Sequence, residues 1–324
     1  MAPRELWFTA PRQVEVRDAA PGPALMAGQL RARALASGIS QGTELLLYRG
    51  EGPTPFEPSL DVAFMPTFPR RYGYAWVGEV TESTSELHPR GARVFALRPH
   101  GDEHCLAASE ARSLPSDVPA ERAVLAANLE TALNVVWDAG LGLGDDVLVI
   151  GGGVVGLLTG YLARKSGARV RLIEPSARRR AAAEALGFAE TVPPEPAPAW
   201  TADVVIEASG DPACLNLAIG AARDEGMIVV ASFYGTRSAP LALGAEFHRR
   251  RLTLRSSQVS RLPAARSVGW SFARRFGLVT DLLHEPLLDL LLEPAVPFSE
   301  APAVYARLAA APGQALQTVF SYVE

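Results

Sequence analysis

The chain is poor in cysteine, in long apolar runs and in excess charge of either sign. Its two cysteines, Cys105 and Cys214, stand far apart and belong to no Cys-x-x-Cys pair, which excludes a disulfide framework and a cysteine-rich metal site. A net charge of −4 over 324 residues leaves no basic excess of the kind that nucleic acid or an anionic membrane attracts. The first residues, Met1-Ala2-Pro3-Arg4-Glu5-Leu6-Trp7-Phe8, carry no apolar core of signal-peptide length, so the expected location is the cytoplasm. The most apolar stretch, Val147 to Ala163, follows Asp145-Asp146, holds five glycines and is shorter than the ~20 residues a bilayer core needs. It does not read as a membrane span. No internal repeat or low-complexity tract is present. What is present is a 48% hydrophobic fraction, enough for a large core, expected in two domains.

The stretch from Asp146 to Glu174 organises the rest. Val147-Leu148-Val149-Ile150 is a short apolar run, Gly151-x-Gly153-x-x-Gly156 follows, then a segment apolar on several faces, then Arg169-Val170-Arg171-Leu172-Ile173 ending in Glu174. That order is strand, glycine turn, helix, strand, acid, as a dinucleotide site requires. Gly151 can turn the chain sharply out of the strand, Gly153 leaves room for backbone to approach a pyrophosphate, and Gly156 lets the helix lie close on the strand. The pyrophosphate would sit at the helix start, where Val154 and Val155 stand, on free N–H groups at the positive end of the helix dipole. Glu174 is placed to accept from both hydroxyls of the adenosine ribose.

Upstream, residues 1 to about 125 read as β-rich, with short, partly alternating runs such as Leu30 to Leu35, Ala75 to Val80 and Arg93 to Leu97 separated by Pro and Gly. Glu51 to Arg70, with five prolines, reads as an ordered loop without regular structure. From about Ala120 helix-like runs alternate with apolar strands: one helix over Glu121 to Ala139, strands at Asp203 to Ala208 and Gly226 to Ala231. The alternation predicts a doubly wound parallel sheet covered by helices. Thr191 to Pro198, with four prolines, reads as a surface connection inside that domain. Near Arg261-Leu262-Pro263 the alternation stops. The expected domains are therefore 126–261, Rossmann-like, and 1–125 with 262–324, β-rich.

Across nearly its whole length the chain resembles the medium-chain dehydrogenases/reductases. The carrying residues are Ala36-Ser37-Gly38-Ile39-Ser40-Gln41-Gly42-Thr43-Glu44, Arg71-Tyr72-Gly73-Tyr74-Ala75-Trp76-Val77-Gly78-Glu79-Val80, the glycine triplet, and Asp203-Val204-Val205-Ile206-Glu207-Ala208-Ser209-Gly210. The resemblance implies a GroES-like β-rich catalytic domain interrupted by a Rossmann domain, with a nicotinamide cofactor and an active site in the cleft between them. It also implies that Ser209 joins Gly151, Gly153, Val154, Val155, Gly156 and Glu174 at the cofactor. Arg179 matches a basic residue that NAD-dependent relatives place against the adenosine ribose.

The departures are informative too. Zinc-dependent members carry a Gly-Ile-Cys-Gly-Thr-Asp stretch, a Gly-His-Glu stretch and a third ligand ahead of the Rossmann domain. Here Ser40 or Gln41, Tyr74 with Ala75, and Ala127 or Asn128 stand at those places, and the lobe with four cysteines is missing. No metal is expected, because zinc takes thiolate, imidazole or carboxylate. In these respects, and in Pro99-His100, the chain is similar to the zinc-lacking branch that includes the hydroxyethyl-chlorophyllide dehydrogenase of bacteriochlorophyll synthesis.

Without a Lewis acid, hydride chemistry needs a side-chain donor or a substrate that activates itself. By position Thr43 matches a hydroxyl that family members use near the nicotinamide ribose and in proton relay, and Tyr74 could donate to a developing oxyanion. Tyr74 could equally pack in the core beside Tyr72 and Trp76. His100 and His104 read as a surface loop, with His100 at most lining the substrate mouth. Asn128 and Glu130 could orient substrate, or Glu130 could be a solvated helix residue. Arg178-Arg179-Arg180 could hold the 2′-phosphate of NADP, but a carboxylate at Glu174 repels phosphate and favours NAD. Arg249-Arg250-Arg251 reads as a solvated turn.

The expected function is thus zinc-independent oxidoreduction of a small molecule, a secondary alcohol or ketone, with NAD(H). The alternatives are an NADPH-dependent enone or quinone reductase, and a non-catalytic dinucleotide-binding protein. A homodimer is expected by analogy, with Phe247 to Leu254 joining two sheets edge to edge.

Overall fold

A computed structural model describes residues 2–52, 67–195 and 199–322. Most of the proline-rich stretch Glu51 to Arg70, and the end of Thr191 to Pro198, lie outside the described residues. The chain divides into two compact units, Met1–Ala127 with Thr280–Glu324, and Asn128–Val279. Among the described residues no helix is long and apolar enough to cross a membrane.

The first unit is β-rich. Its strands are β1 Arg4–Ala10, β2 Gln13–Asp18, β3 Gln29–Gly38, β4 Arg70–Arg71, β5 Trp76–Ser83, β6 Arg93–Ala96, β7 Glu103–Ala107 and β8 Arg112–Ser113, and later β15 Val296–Pro297 and β16 Val319–Ser321. They form a three-stranded sheet, β2-β1-β4, and a seven-stranded sheet, β15-β16-β3-β5-β6-β8 with β7 also on β3. The alternation along β3 explains its place. Leu30, Ala32, Ala34 and Ala36 are buried, and the first three meet Trp76, Val80, Val94 and Leu106 in one core. A second core joins the two ends of the chain, with Leu6, Phe8, Ile39 and Tyr48 packed on Phe298, Tyr305 and Phe320. The helices of this unit are α1 Gln41–Arg49, α2 Ala120–Ala123 and α8 Ala301–Ala310.

The second unit is the predicted parallel sheet. β9 Asp146–Ile150, β10 Arg169–Ile173, β11 Glu190–Val192, β12 Ala202–Glu207, β13 Ala222–Val230 and β14 Thr253–Ser256 lie in the order β11-β10-β9-β12-β13-β14. Every neighbouring pair is parallel. All five residues of β9 are buried, the mark of a strand covered on both faces. The remaining helices are α3 Ala126–Ala139, α4 Val154–Lys165, α5 Ala177–Ala185, α6 Cys214–Ala221 and α7 Phe272–Leu282. α4 lies against β9 and β10, and α6 against β12 and β13.

Two expectations need correction. The helix expected over Glu121 to Ala139 is broken into α2 and α3 at Val124-Leu125. Both residues at the break are fully buried, so the apolar pattern runs through it unmarked. The second unit also runs on to Val279 rather than ending near residue 261. Arg275, 3% exposed, donates to Glu130 Oε1 (3.1 Å), Asn134 Oδ1 (3.0 Å) and the Val259 carbonyl (2.8 Å), which ties α7 to α3.

Candidate functional site

The glycine turn joins β9 to α4. Gly151 has φ +100°, a left-handed value that favours glycine, and a Cβ there would lie 2.5 Å from the Ser209 backbone. A Cβ on Gly156 would run into the Gly151 carbonyl oxygen, whereas one on Gly153 would meet nothing within 4 Å. Two glycines therefore permit close packing, and the third leaves open space. Gly153 is the N-cap of the twelve-residue α4, whose first N–H groups, at Val154 and Val155 among others, have no acceptor within the helix.

Glu174 follows β10 and is 3% exposed. Its Oε2 accepts from Gly152 N–H (2.6 Å) and its Oε1 from Ser176 N–H (2.8 Å), which fixes the carboxylate while leaving each oxygen a further lone pair. Arg179 lies 3.8 Å from Oε2. Arg180 is tied to the Glu174 and Pro175 carbonyls, and Arg178 is exposed. The residues present suit a dinucleotide: an open backbone cradle at a helix start, beside an anchored acid.

At the end of β12 stands a second buried carboxylate, Glu207, 0% exposed. One oxygen accepts from Ser209 N–H (2.8 Å) and from the Ser209 hydroxyl, the other from the Tyr234 hydroxyl. Sequence reasoning gave Glu207 and Tyr234 no role. An acid closing the apolar run Val204-Val205-Ile206 was the available signal.

In the first unit the Tyr74 hydroxyl donates to Ser40 Oγ and lies 3.4 Å from Thr43 Oγ1, while its ring stands edge-on to Tyr72 at 6.2 Å. Burial pushes the Tyr74 phenol above its ordinary pKa, the two hydroxyls pull it back, and Glu44 pushes it up again. Beneath this trio lies a couple that the sequence reading missed. Glu44, 0% exposed, accepts from Ser40 N–H (2.7 Å) and the Tyr305 hydroxyl and meets His100 Nε2 at 2.9 Å. His100 Nδ1 meets Ser37 Oγ at 2.7 Å, and a Cβ on Gly73 would lie 2.7 Å from the His100 ring. The couple thus holds both the start of α1 and the chain just before Tyr74.

His100 is 1% exposed, so it neither sits in a surface loop nor lines a mouth. His104 is in β7, packed on Trp76. Glu130 is not solvated: it is 4% exposed and paired with Arg275. At the places where the resemblance would set zinc ligands, Ser40 and Tyr74 offer neutral hydroxyls bonded to each other, with Gln41 an amide beside Ser40, and Ala127 or Asn128 offers a methyl or an amide. This donor set does not suit zinc. Among the described residues no three His, Cys, Asp or Glu side chains converge on a metal position.

Comparisons with known proteins find likenesses to dehydrogenases. The family described as "Zinc-binding dehydrogenase" matches residues 154–270, within the second unit. A 2-dehydro-3-deoxy-L-galactonate 5-dehydrogenase of Pseudoalteromonas atlantica is 31% identical over 132 residues, 38% of this chain and 39% of that protein. The chain therefore spans about two fifths of the length of that curated relative. Among solved structures, one described as a zinc-binding dehydrogenase from Sinorhizobium meliloti 1021, bound to NADP, superposes with TM-score 0.79 at 21% identity over 99% of both chains. An alcohol dehydrogenase from Escherichia coli CFT073, complexed with NADH, gives 0.78 at 17% over 99% of this chain and 100% of that one. The two-unit fold is the fold of these dehydrogenases.

Proposed function

We propose that the protein is a nicotinamide-dependent oxidoreductase that interconverts a secondary alcohol and its ketone with NAD(H) and without zinc. The observation that carries this reading is the Tyr74 hydroxyl, held by Ser40 and Thr43 where the resemblance would set a zinc ligand. Bound nicotinamide supplies the hydride in reduction and takes it up in oxidation. The backbone at Gly153, Val154 and Val155 receives the pyrophosphate, and Glu174 accepts from the adenosine ribose hydroxyls. Its charge favours NAD over NADP, because a 2′-phosphate beside a buried carboxylate is repelled.

In reduction Tyr74 would give its proton to the carbonyl oxygen, and a proton from solvent would be relayed back to it through the Ser40 and Thr43 hydroxyls. In oxidation the alcohol proton leaves by the same hydroxyls. The raised phenol pKa keeps Tyr74 protonated near neutral pH, so it acts as an acid in reduction. Cys105 and Cys214 are free thiols, which accords with a reducing compartment such as the cytoplasm.

The experiment is turnover of a panel of secondary alcohols and ketones with NAD(H) and NADP(H), with metal analysis of the same preparation. NAD(H)-linked turnover without stoichiometric zinc is expected. Tyr74→Phe should lower kcat at least about tenfold, or roughly 1.4 kcal/mol in barrier, with NADH affinity unchanged. Full activity of that variant would remove Tyr74 as the donor and favour a reductase for conjugated enones or quinones. Nucleotide binding with no turnover would favour a non-catalytic binding protein.

A further inference from the structure

Ser40 forgoes a bond that its place in the chain invites. It is the N-cap of α1, where a serine hydroxyl ordinarily accepts from a backbone N–H of the first turn, yet its side chain makes no capping bond. The hydroxyl is turned to Tyr74 instead. The reciprocal bond of a capping box is made one residue later than usual, by Glu44, whose Oε1 reaches back to Ser40 N–H at 2.7 Å. Glu44 N–H in turn donates to the Ser40 carbonyl at 2.8 Å. A local preference set aside in this way marks a hydroxyl that is used elsewhere.

Glu44 has its own support. A carboxylate only accepts, and Oε2 takes the Tyr305 hydroxyl and the His100 ring, with Nε2 at 2.9 Å. His100 Nδ1 meets Ser37 Oγ at 2.7 Å, and Ser37 Oγ meets the Tyr322 hydroxyl at 2.7 Å. The ring also stands edge-on to Phe320 at 5.3 Å, so contacts on several sides fix its plane. The same ring reaches the other member of the hydroxyl pair. Gly73, directly before Tyr74, has φ +124°, and a Cβ there would lie 2.7 Å from His100 Cδ2 and 2.9 Å from Nε2. His100 N–H donates to the Tyr72 carbonyl at 3.3 Å. One imidazole therefore touches both arms, Ser40 by way of Glu44 and Tyr74 by way of the backbone ahead of it.

We propose that His100 is the positioning residue of the Tyr74 and Ser40 hydroxyls: through Glu44 it sets Ser40, through Gly73 and Tyr72 it sets Tyr74, and so it aims the phenol proton. This rests on the reading of Tyr74 as the acid. At 1% exposure His100 is shut off from solvent and acts through these neighbours.

The test is a mutant cycle read by steady-state ketone reduction with NADH. His100→Leu keeps bulk and removes both ring nitrogens, whereas His100→Gln offers an amide N–H to Glu44 in place of Nε2–H. His100→Leu should lower kcat about tenfold and leave KM for ketone and NADH within about twofold, and His100→Gln should stay within about threefold of wild type. In a Tyr74→Phe background His100→Leu should change the residual kcat by less than about twofold, because nothing remains to be aimed. A full, independent loss in that background, or equal losses for the leucine and glutamine variants, would mean that His100 only supports the fold. Either result overturns the proposal, as does full activity of His100→Leu. Where Tyr74→Phe leaves nothing to measure, the split between kcat and KM and the glutamine rescue decide. If His100→Leu does not fold, His100→Asn, which falls short of Glu44, takes its place. Full activity of Tyr74→Phe alone, or no turnover by wild type, would remove the reading of Tyr74 as the acid and this proposal with it.

Discussion

His104 stands edge-on to the Trp76 ring at 5.0 Å and bonds the Pro99 carbonyl through Nε2 at 2.8 Å. Burial pushes its pKa down to about 4, against the opposing pull of that hydrogen bond, and Arg98 and Arg71 push it the same way as burial. The folded value lies below the unfolded one, so between about pH 6.5 and about 4 the unfolded chain binds the extra proton. Stability should therefore be unaffected by this group above about pH 6.5 and fall as pH drops toward about 4, by at most about 3 kcal/mol. Denaturation of His104→Gln should show a flatter pH dependence across that window, and an unchanged slope would mean that His104 titrates normally in the native state. The residue scale is also where sequence reading reached least far. Glu44 and His100 are 56 positions apart and Glu44 and Tyr305 261 apart, so no local pattern joins them. The placing of Gly151, Gly153 and Gly156 in the turn from β9 to α4, and of Glu174 at the end of β10, is legible because it is written within one strand-helix-strand unit.

At the scale of elements, period and punctuation carried the parallel strands: β9, β10, β12 and β13 were all visible as apolar runs bounded by Gly or charge. The break between α2 and α3 was not, because buried Val124 and Leu125 continue the apolar pattern. Nor was the fastening of α7 to α3, which depends on one arginine. Arg275 and Glu130 are 3% and 6% exposed along their side chains, so removing either one takes the countercharge from a group that water does not reach. Arg275→Ala should cost about 3–5 kcal/mol in urea unfolding. The double change Arg275→Met with Glu130→Leu should recover most of that, since a well-packed apolar pair can replace a buried ion pair. A single-variant loss below about 1 kcal/mol would be the behaviour of an exposed pair and would contradict the burial.

For the whole molecule, the shift from short β runs to strand and helix alternation revealed two units and their order. The return to the first unit was misjudged because residues 262–279 carry no strand pattern and are held by side-chain contacts instead. The parallel sheet ends in two edges, β11 with three residues and β14 with four. β14 is bonded on one side to β13, and Thr253, Arg255 and Ser256 are exposed. An edge ladder of N–H and C=O groups left to water is a template for another strand, and proteins either blunt it or use it. A two-fold axis beside β14 would pair it antiparallel with its own copy, satisfy the ladder and extend the sheet through both subunits. We therefore expect a homodimer, with twice the chain mass in sedimentation equilibrium at micromolar concentration. Thr253→Pro, which removes one backbone donor and stiffens the edge, should shift that equilibrium toward monomer while NADH binding persists. A wild-type chain that sediments as a monomer would show instead that the short, arginine-bearing edge is blunted, with β14 closing the sheet rather than extending it.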